Sequence, residues 1–277
     1  MKGFEIAAGS VIGKDHLRLN KNNHDAYNVV HRPDSIVAVV CDGCGSGAHS
    51  EVGAKIAAYM LPHQLRLIAD IGDLDKTEVT GLVELNVNIT DLAVKMIWGT
   101  GKVEEKLVGV VKDYFLFTCM VAIITKYWVA IASIGDGVYA LNGEVKTIGP
   151  FPNNAPPYSS YGIVPQAVDE RFRNPKFQVN EIILAENFQS LVIGTDGLDD
   201  FQAAENKSIP GKDELVGPLS QFWTKDKYFT NKMALQRRLV RINKEVVKVV
   251  DGVATRQHGH LKDDTTVVAI RRKDENR

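Results

Sequence analysis

The chain has 277 residues, of which 44% are hydrophobic and 24% are charged, and its formal net charge is −1. This length allows a sizeable core, while the near-neutral charge argues against the basic surfaces that bind nucleic acid or membranes. We expect no signal peptide, because residues 1–6 lack the apolar core of one. We also expect no membrane-spanning helix, because no apolar run approaches roughly 18 residues. Three cysteines cannot all pair, which favours reduced thiols in the cytoplasm.

Short apolar strands dominate the predicted secondary structure. In chain order the predicted strands are residues 3–11, 25–30, 35–41, 115–125, 127–133, 177–184, 191–194 and 261–272, with a further hairpin over 139–145. Helical spacing of apolar residues predicts helices over residues 50–69, 77–98 and 230–250, the first of them kinked at Pro62. Polar or proline-rich composition predicts irregular segments over residues 13–24, 151–165 and 204–226. Because several strands follow one another through short hairpins, the pattern indicates an α+β fold with antiparallel pairing.

The stretch from Ser35 to Gly47 concentrates the features of a ligand site. A buried strand ends there in Asp42, and three glycines follow within five residues. A strand holds a carboxylate rigidly, and glycines let a small ligand approach the backbone. A metal or phosphate site is built in this way, although a strand-to-helix turn with a capping Asp explains the same residues.

Four further strand ends carry acidic residues. They are Asp25, Asp136, Asp196 and the pair Asp263-Asp264. Five acidic strand ends suggest that these ends converge, and converging carboxylates repel one another unless cations lie between them. Ligand sets made only of oxygen favour Mg or Mn over Zn.

The order of these motifs resembles the metal-dependent protein phosphatase family, also called protein phosphatase type 2C. The motifs are Asp25, Asp42-Gly43, Gly135-Asp136-Gly137, Thr195-Asp196-Gly197 and Asp263-Asp264-Thr265-Thr266. The resemblance covers residues 9–270, and residues 42–54 are similar to a divergent bacterial branch. It implies a four-layer αββα sandwich of two mainly antiparallel sheets flanked by helices, forming a single phosphatase catalytic domain over residues 1–277.

The same resemblance implies hydrolysis of phosphoserine and phosphothreonine in proteins by a water that bridges two Mn or Mg ions. Asp42 then bridges both metals with the Gly43 carbonyl as an added ligand, and Asp25 binds a metal directly or through its water. Asp196 and Asp263 hold one metal, and Asp136 and Asp200 match a third, weaker position in some relatives. Asp25 and Asp42 are therefore the predicted catalytic residues.

The resemblance also sets expectations for partners and location. The substrate is a phosphorylated protein, either a cognate Ser/Thr kinase or its target, in the bacterial cytoplasm. The protein is expected to be a monomer without nucleic-acid or membrane partners. An alternative is a metal-binding regulatory protein of the same fold with little catalysis, which recognises a phosphoprotein or a kinase.

Two positions depart from the family pattern. The family usually has an Arg five residues before the acid aligned with Asp25, where it holds the substrate phosphate, and here that position is Asn20. Arg18 or His16 lies close enough in sequence to substitute. Relatives often carry His or Met at the position of Cys44, and His there has been assigned as proton donor. The resemblance therefore leaves protonation of the leaving group here to a water.

Other motifs have simpler explanations. Cys41-x-x-Cys44 suits zinc or redox chemistry, but Cys41 lies in a buried strand and no second cysteine pair exists. His258-Gly259-His260 is more typical of a loop than of a ligand pair. The cluster Arg237-Arg238-x-x-Arg241 predicts a solvated helix face, with docking of an acidic partner as the alternative. Asp199 and Asp264 match no ligand position and are expected to be solvated acids.

Overall fold

The computed structural model describes residues 1, 3–69, 88, 90, 103–250 and 253–273. The chain divides into two compact units. Unit 1 comprises Met1–Lys2, His24–Gly137 and Ile148–Phe188, and unit 2 comprises Gly3–Asn23, Val138–Thr147 and Gln189–Arg277. The chain passes between the units several times, so neither unit is one contiguous segment.

The secondary structure of the described residues is numbered here in chain order. The strands are β1 (Phe4–Val11), β2 (Ala26–His31), β3 (Ser35–Gly43), β4 (Phe117–Thr125), β5 (Trp128–Ile134), β6 (Gly137–Leu141), β7 (Glu144–Ile148), β8 (Gln178–Leu184), β9 (Ser190–Gly194), β10 (Val246–Val250), β11 (Val253–Gln257) and β12 (Thr265–Arg272). The helices are α1 (Lys14–Arg18), α2 (Glu51–Ala69), α3 (Val103–Tyr114), α4 (Gly197–Ala203), α5 (Gln221–Thr224), α6 (Lys227–Thr230) and α7 (Ala234–Asn243). Short 3₁₀ turns follow β7, at Pro152–Asn154, Ser159–Ile163, Pro165–Ala167 and Glu170–Phe172.

Unit 1 is built on a five-stranded antiparallel sheet with the order β2-β3-β4-β5-β8. Every residue of β4 is buried, as is β3 up to Cys41, which explains their continuous apolar runs. The small side chains of Ala54 and Ala58 let α2 lie close to Val37 and Val39 of β3. This packing holds the end of β3, and Asp42 with it, in a rigid position.

Unit 2 contains a second five-stranded sheet with the order β1-β12-β9-β6-β7. β12 lies between β1 and β9 and pairs antiparallel with both. Helices α4 and α7 bury Leu198, Phe201 and Leu239 in the core of this unit with Val267 of β12. The beginning of β12 and the end of β9 therefore lie side by side at one end of the sheet.

Most predicted strands are confirmed, and so is the α+β class with two mainly antiparallel sheets. The hairpin over residues 139–145 forms as β6 and β7, with Asn142 and Gly143 at φ values of 51° and 90°. Those left-handed values are the ones that a two-residue type I′ turn requires. Helix α2 runs on through Pro62. Of the predicted helix over residues 77–98, only residues 88 and 90 are described, and the rest lies outside the described residues.

The prediction of one long helix over residues 230–250 is wrong. α7 ends at Asn243, and β10 and β11 then pair as an antiparallel two-stranded ribbon. The cause is the composition of Val246–Val250, where four of five residues are valine and β-branched residues favour extended backbone. The following Asp251-Gly252 is a common hairpin turn sequence.

Two shorter helices also differ from the prediction. The segment 13–24 is not wholly a loop, because α1 forms within it and its Leu17 N–H donates to the Gly13 carbonyl oxygen over 3.0 Å. Helix α3 was not predicted at all.

Across the described residues we find no helix with the length and apolar content that a bilayer crossing requires.

Candidate active site

Asp25 and Asp42 occupy facing positions on two neighbouring strands of unit 1. β2 and β3 run antiparallel, and the Gly43 N–H donates to the His24 carbonyl oxygen over 3.1 Å. This register sets Asp25 opposite Asp42, and residues opposite each other in such a pair have Cβ atoms about 4.5–5.5 Å apart. Asp25 is buried and Asp42 is half-buried. Two carboxylates at this separation repel each other, and a divalent cation bound to both would relieve the repulsion.

Gly43 lies where no side chain fits. A Cβ on this residue would lie 2.9 Å from the His24 carbonyl oxygen and 2.9 Å from the Ser50 hydroxyl. The surrounding side chains are tied together, since His24 Nδ1 lies 3.1 Å from Ser50 Oγ and His24 Nε2 lies 3.7 Å from Glu51 Oε2. Ser50 also donates to the Cys44 carbonyl oxygen over 2.8 Å. This network fixes the turn that presents Asp42 and the Gly43 carbonyl.

His24, Ser50 and Glu51 were not among the predicted site residues. Ser50 and Glu51 were visible in the sequence as the start of a helix after the glycine-rich turn, so a positioning role for them was open to prediction. His24 had no such signal, because its two partners lie 26 and 27 positions further along the chain.

Asp136 lies at the same end of the unit 1 sheet. Strands β3 and β5 both flank β4 antiparallel, so their last residues reach the same edge. Asp136 follows Gly135, which has φ of +86° and packs against Thr118, the β4 residue opposite Asp42. Unit 1 therefore gathers three of the predicted acids at one edge.

Cys44 continues the same turn and is partly exposed. Its Sγ lies 3.1 Å from the Ser46 hydroxyl. Burial opposes ionisation of the thiol, but hydrogen bonds from Ser46, Tyr158 and the backbone outweigh it and lower the pKa of Cys44. By contrast, burial raises the pKa of Cys41, which lies opposite Cys119 in the core.

We expect Cys44→Ser to keep at least about a tenth of the wild-type rate, a loss below about 1.4 kcal/mol in the barrier. A serine hydroxyl can keep the hydrogen bonds with Ser46 and Tyr158, and no proton transfer is assigned to the thiol. The measurement is turnover of p-nitrophenyl phosphate at saturating substrate. A loss of several orders of magnitude would instead identify a catalytic cysteine.

Asp264 is buried at the acidic end of unit 2, where Gly13 and His16 hold its carboxylate in a fixed position; these contacts are called the Asp264 clamp. Asp264 Oδ1 accepts from the Gly13 N–H over 2.6 Å, and Oδ2 lies 2.9 Å from His16 Nδ1. Asp264 is only 2% exposed. The expectation that it is a solvated acid is therefore wrong. The turn at Gly13 packs so closely on residues 262–263 that the Asp264 carboxylate lies within reach of its N–H.

Asp263 lies beside this clamp and is exposed. Ligand atoms of His16, Asp263 and Asp264 lie within 4.8 Å of one another. Although the residue as a whole is exposed, partial loss of water around its carboxylate raises the pKa of Asp263. The charges of Asp264 and Asp200 also raise it, while the Asp264 N–H and His16 lower it. Because Asp264 already accepts two hydrogen bonds, Asp263 is the better cation ligand of this group.

Asp196 and Asp200 flank the first turn of α4. The Asp196-Gly197 turn packs directly on residues 264–265, because a Cβ on Gly197 would lie 2.0 Å from the Asp264 carbonyl oxygen. Asp200 Oδ2 accepts from the backbone N–H groups of residues 262 and 263, over 2.6 Å and 3.2 Å. Both acids therefore lie at the same end of unit 2 as Asp263. Asp199, on the same helix, is exposed.

The three candidates for substrate phosphate lie in or just after α1. His16 is buried against Asp264, as described above. Arg18 has a side chain that is 59% exposed and lies 3.5 Å from Asp15 Oδ1. Asn20 is exposed and has a positive φ of 51°. Of the three, Arg18 has the cationic group best placed to meet a ligand from solvent.

Each unit thus presents its own acidic end with oxygen donors. Unit 1 contributes Asp25, Asp42, Asp136 and the Gly43 carbonyl, and unit 2 contributes Asp196, Asp200 and Asp263. Carboxylate and carbonyl oxygens are the ligands that Mg and Mn prefer, so the donor chemistry fits the predicted metals. That these residues share the same ions stays a prediction.

The histidine, cysteine and arginine motifs considered as alternative sites have structural explanations. His258 Nδ1 lies 2.9 Å from Glu245 Oε2, and His260 Nε2 donates to the Ser208 carbonyl oxygen over 2.8 Å, which agrees with the loop interpretation. All three cysteines are free thiols. The solvated-face prediction is wrong for Arg238, which is buried. Its guanidinium donates to the Glu214 carboxylate and to the carbonyl oxygens of Leu215 and Val216.

The chain is similar to a known protein family and to solved structures. A family profile described as "Protein phosphatase 2C" matches residues 12–241. A bacterial serine phosphatase superposes with a TM-score of 0.55 at 16% identity, covering 98% of this chain and 99% of the other. A Caenorhabditis elegans sex determining protein gives 0.51 at 13% identity over 98% of this chain and 65% of its own. Serine/threonine phosphatase Stp1 from Staphylococcus aureus gives 0.49 at 17% identity, covering 98% and 96%.

A search among curated proteins returns no match. At identities of 16% and 13%, the likeness to the bacterial serine phosphatase and to the Caenorhabditis elegans protein shows the fold alone.

Proposed function

Because this chain belongs to the protein phosphatase 2C family, we propose that it hydrolyses phosphoserine and phosphothreonine in proteins with the help of two Mn or Mg ions. The proposal rests above all on the facing pair of Asp25 and Asp42 at the end of a buried strand. Acids in this position have no packing role in the core, and their mutual repulsion opposes folding. A bound cation is the simplest reason to keep them together.

The residues that would hold the ions are Asp25, Asp42 and the Gly43 carbonyl in unit 1, together with Asp196 and Asp263 in unit 2. Asp136 and Asp200 are the candidates for a third ion. When bound, such ions neutralise charge on a phosphoryl group and lower the pKa of a water to about 7. β3 would hold Asp42 in position, because it is paired with β2 on one side and β4 on the other. The His24–Ser50–Glu51 network keeps the following turn in place.

Arg18 is the proposed contact to the substrate phosphate. Its guanidinium is exposed and its neighbour Asp15 is also a surface residue, so the pair exchanges easily for a phosphate oxygen. A planar guanidinium can donate two parallel hydrogen bonds to phosphate. This assignment replaces the Arg that relatives usually have at the position of Asn20.

The second candidate function is a metal-binding regulatory protein of the same fold with little catalysis. The observation in its favour is Asn20, which cannot supply the charge of the usual Arg. Such a protein would bind a phosphoprotein or a kinase and release no phosphate.

We expect activity to require added Mn or Mg and to disappear with excess chelator. The measurement is turnover of p-nitrophenyl phosphate, with the melting temperature as a second readout. Metal binding to the folded state stabilises it by about 2.7 kcal/mol when free metal is 100 times its dissociation constant. Mn should therefore raise the melting temperature and chelator should return it to the starting value.

The two readouts separate the candidate functions. Mn-dependent stabilisation with no phosphate release would favour the regulatory protein. Full turnover in excess chelator, with no Mn effect on melting, would contradict the metal assignment altogether.

The proposed substrate is a phosphorylated protein from a pathway with a cognate Ser/Thr kinase, and the proposed active form is a monomer. We place the reaction in the cytoplasm, since three free thiols in one chain suit a reducing compartment.

A further inference from the structure

A cavity of about 470 Å³ opens next to the proposed active-site turn within unit 1. Cys44 and Ser46 form one wall, and Val108, Val111 and Lys112 of α3 form another. The remaining wall comes from the 3₁₀ turns between residues 154 and 172. The proposed chemistry leaves this cavity without a role.

Aromatic rings line the wall formed by the 3₁₀ turns. The Tyr158 and Tyr161 rings meet edge to face with centroids 5.2 Å apart, and Tyr161 meets Phe172 at 5.7 Å. Val108, Val111 and Leu116 add aliphatic surface. Rings in these offset and edge-on arrangements accept another ring or a large aliphatic side chain favourably. Most of the lining is apolar, and its two charged residues, Lys112 and Asp169, are exposed, so the cavity favours an apolar guest.

The cavity lies close to Asp42. Cys44 lines the cavity and is two residues from Asp42, so their Cα atoms are at most about 7.6 Å apart. In an extended peptide, residues i and i+2 point to the same side and lie about 6.6–6.8 Å apart. A peptide with its phosphorylated residue at Asp42 can therefore direct the side chain two positions away into the cavity.

A second observation links the cavity to the acids. Burial, a hydrogen bond with Cys44 and the charges of Cys44 and Asp42 all raise the pKa of Tyr158. Tyr158 lines the cavity and forms a hydrogen bond with Cys44, which follows the end of β3. The cavity therefore borders the turn that begins at Asp42.

We propose that this cavity binds a large apolar side chain, preferably aromatic, two positions from the phosphorylated residue of the protein substrate. The inference rests on the proposed function, because it assigns the phosphoryl group to Asp42. It adds a sequence preference to a reaction that otherwise needs only a phosphate monoester. The phosphatase then selects among phosphoproteins by a feature next to the phosphate.

The test compares phosphoserine peptides that carry Phe, Ala or Lys two positions before or two positions after the phosphoserine. For one of the two positions we expect kcat/KM to be about tenfold higher with Phe than with Ala, the scale of discrimination by an apolar pocket. Lys should be no better than Ala. A difference below about twofold at both positions would overturn the proposal, because such pockets normally discriminate more strongly.

Ala167→Trp tests the cavity directly. Ala167 lines the cavity and is exposed, so a larger side chain there can fill the space without disturbing the core. The variant should lose the Phe preference and keep its turnover of p-nitrophenyl phosphate, which has no flanking residue. Ala254→Trp on β11 of unit 2 is the matched control, since it adds the same side chain at another exposed position. A Phe preference that survives in Ala167→Trp would overturn the proposal.

Peptide binding separates this proposal from the proposed function. Fluorescence anisotropy measures binding of the labelled Phe and Ala phosphopeptides without any turnover. If neither peptide nor p-nitrophenyl phosphate is hydrolysed but the Phe peptide binds about tenfold more tightly, the catalytic proposal fails and the cavity proposal stands. If all substrates are hydrolysed without preference, only the cavity proposal fails. The cavity proposal also fails if a small apolar dye binds in the cavity while the peptides are hydrolysed without preference.

Discussion

Asp42→Asn is expected to reduce turnover of p-nitrophenyl phosphate by about a thousandfold or more, equivalent to about 4 kcal/mol of transition-state stabilisation. The change keeps the shape of the side chain and removes the charge that faces Asp25 across β2 and β3. The proposed metal site would then lack one of its carboxylate ligands, so kcat should fall more than KM rises. The stability of the metal-free protein should be unchanged or higher, because one of two repelling carboxylates is gone.

Asp199→Asn is the matched control for this result. It removes the same charge from an exposed residue on α4, three positions after Asp196, and it should be nearly silent in turnover. Both variants should be compared at the same free Mn concentration, with melting curves to show that each is folded. The reverse result, a silent Asp42→Asn and an inactive Asp199→Asn, would mean that the acids were aligned wrongly with the family motifs.

The features that could be predicted from the sequence are those set by local pattern. β3 and β9 are short, mostly buried apolar runs rich in β-branched residues, and such runs are visible without knowledge of the fold. β3 ends in Asp42-Gly43, and Asp196-Gly197 follows β9 after one residue. The order of the acidic motifs along the chain then indicated the family, which the family profile confirms. The turn at Asn142-Gly143 was predictable because a type I′ turn needs two residues that tolerate positive φ.

The features that could not be predicted depend on contacts between distant parts of the chain. Asp263 and Asp264 are adjacent acids with no difference in sequence pattern, yet one is exposed and the other is buried. The difference comes from Gly13 and His16, which lie about 250 positions away and supply the two partners of Asp264. His24 was missed for the same reason. The ribbon of β10 and β11 was missed because helical spacing in α7 runs without a break into a valine-rich segment.

Gly197→Ala is expected to destabilise the protein by about 3 kcal/mol, the upper end of the usual range for overpacking. The added Cβ would lie 2.0 Å from the Asp264 carbonyl oxygen and 2.6 Å from Thr265 Oγ1. Neither atom can move freely, because Asp264 is clamped by Gly13 and His16, and Thr265 begins β12. The strain should lower the melting temperature by about 6–12 °C, measured by circular dichroism.

Gly109→Ala makes the same chemical change where the structure leaves room for it. Gly109 is exposed in the middle of α3, and nothing lies within 4 Å of the position of an added Cβ. Because alanine favours the helix over glycine, this variant should be more stable than wild type by about 0.5–1 kcal/mol. The two Gly→Ala variants should therefore shift the melting temperature in opposite directions. If Gly197→Ala had the melting temperature of the wild type, the Asp196-Gly197 turn would not be packed against the start of β12. The placement of Asp196 at the same end of unit 2 as Asp263 would then be wrong as well.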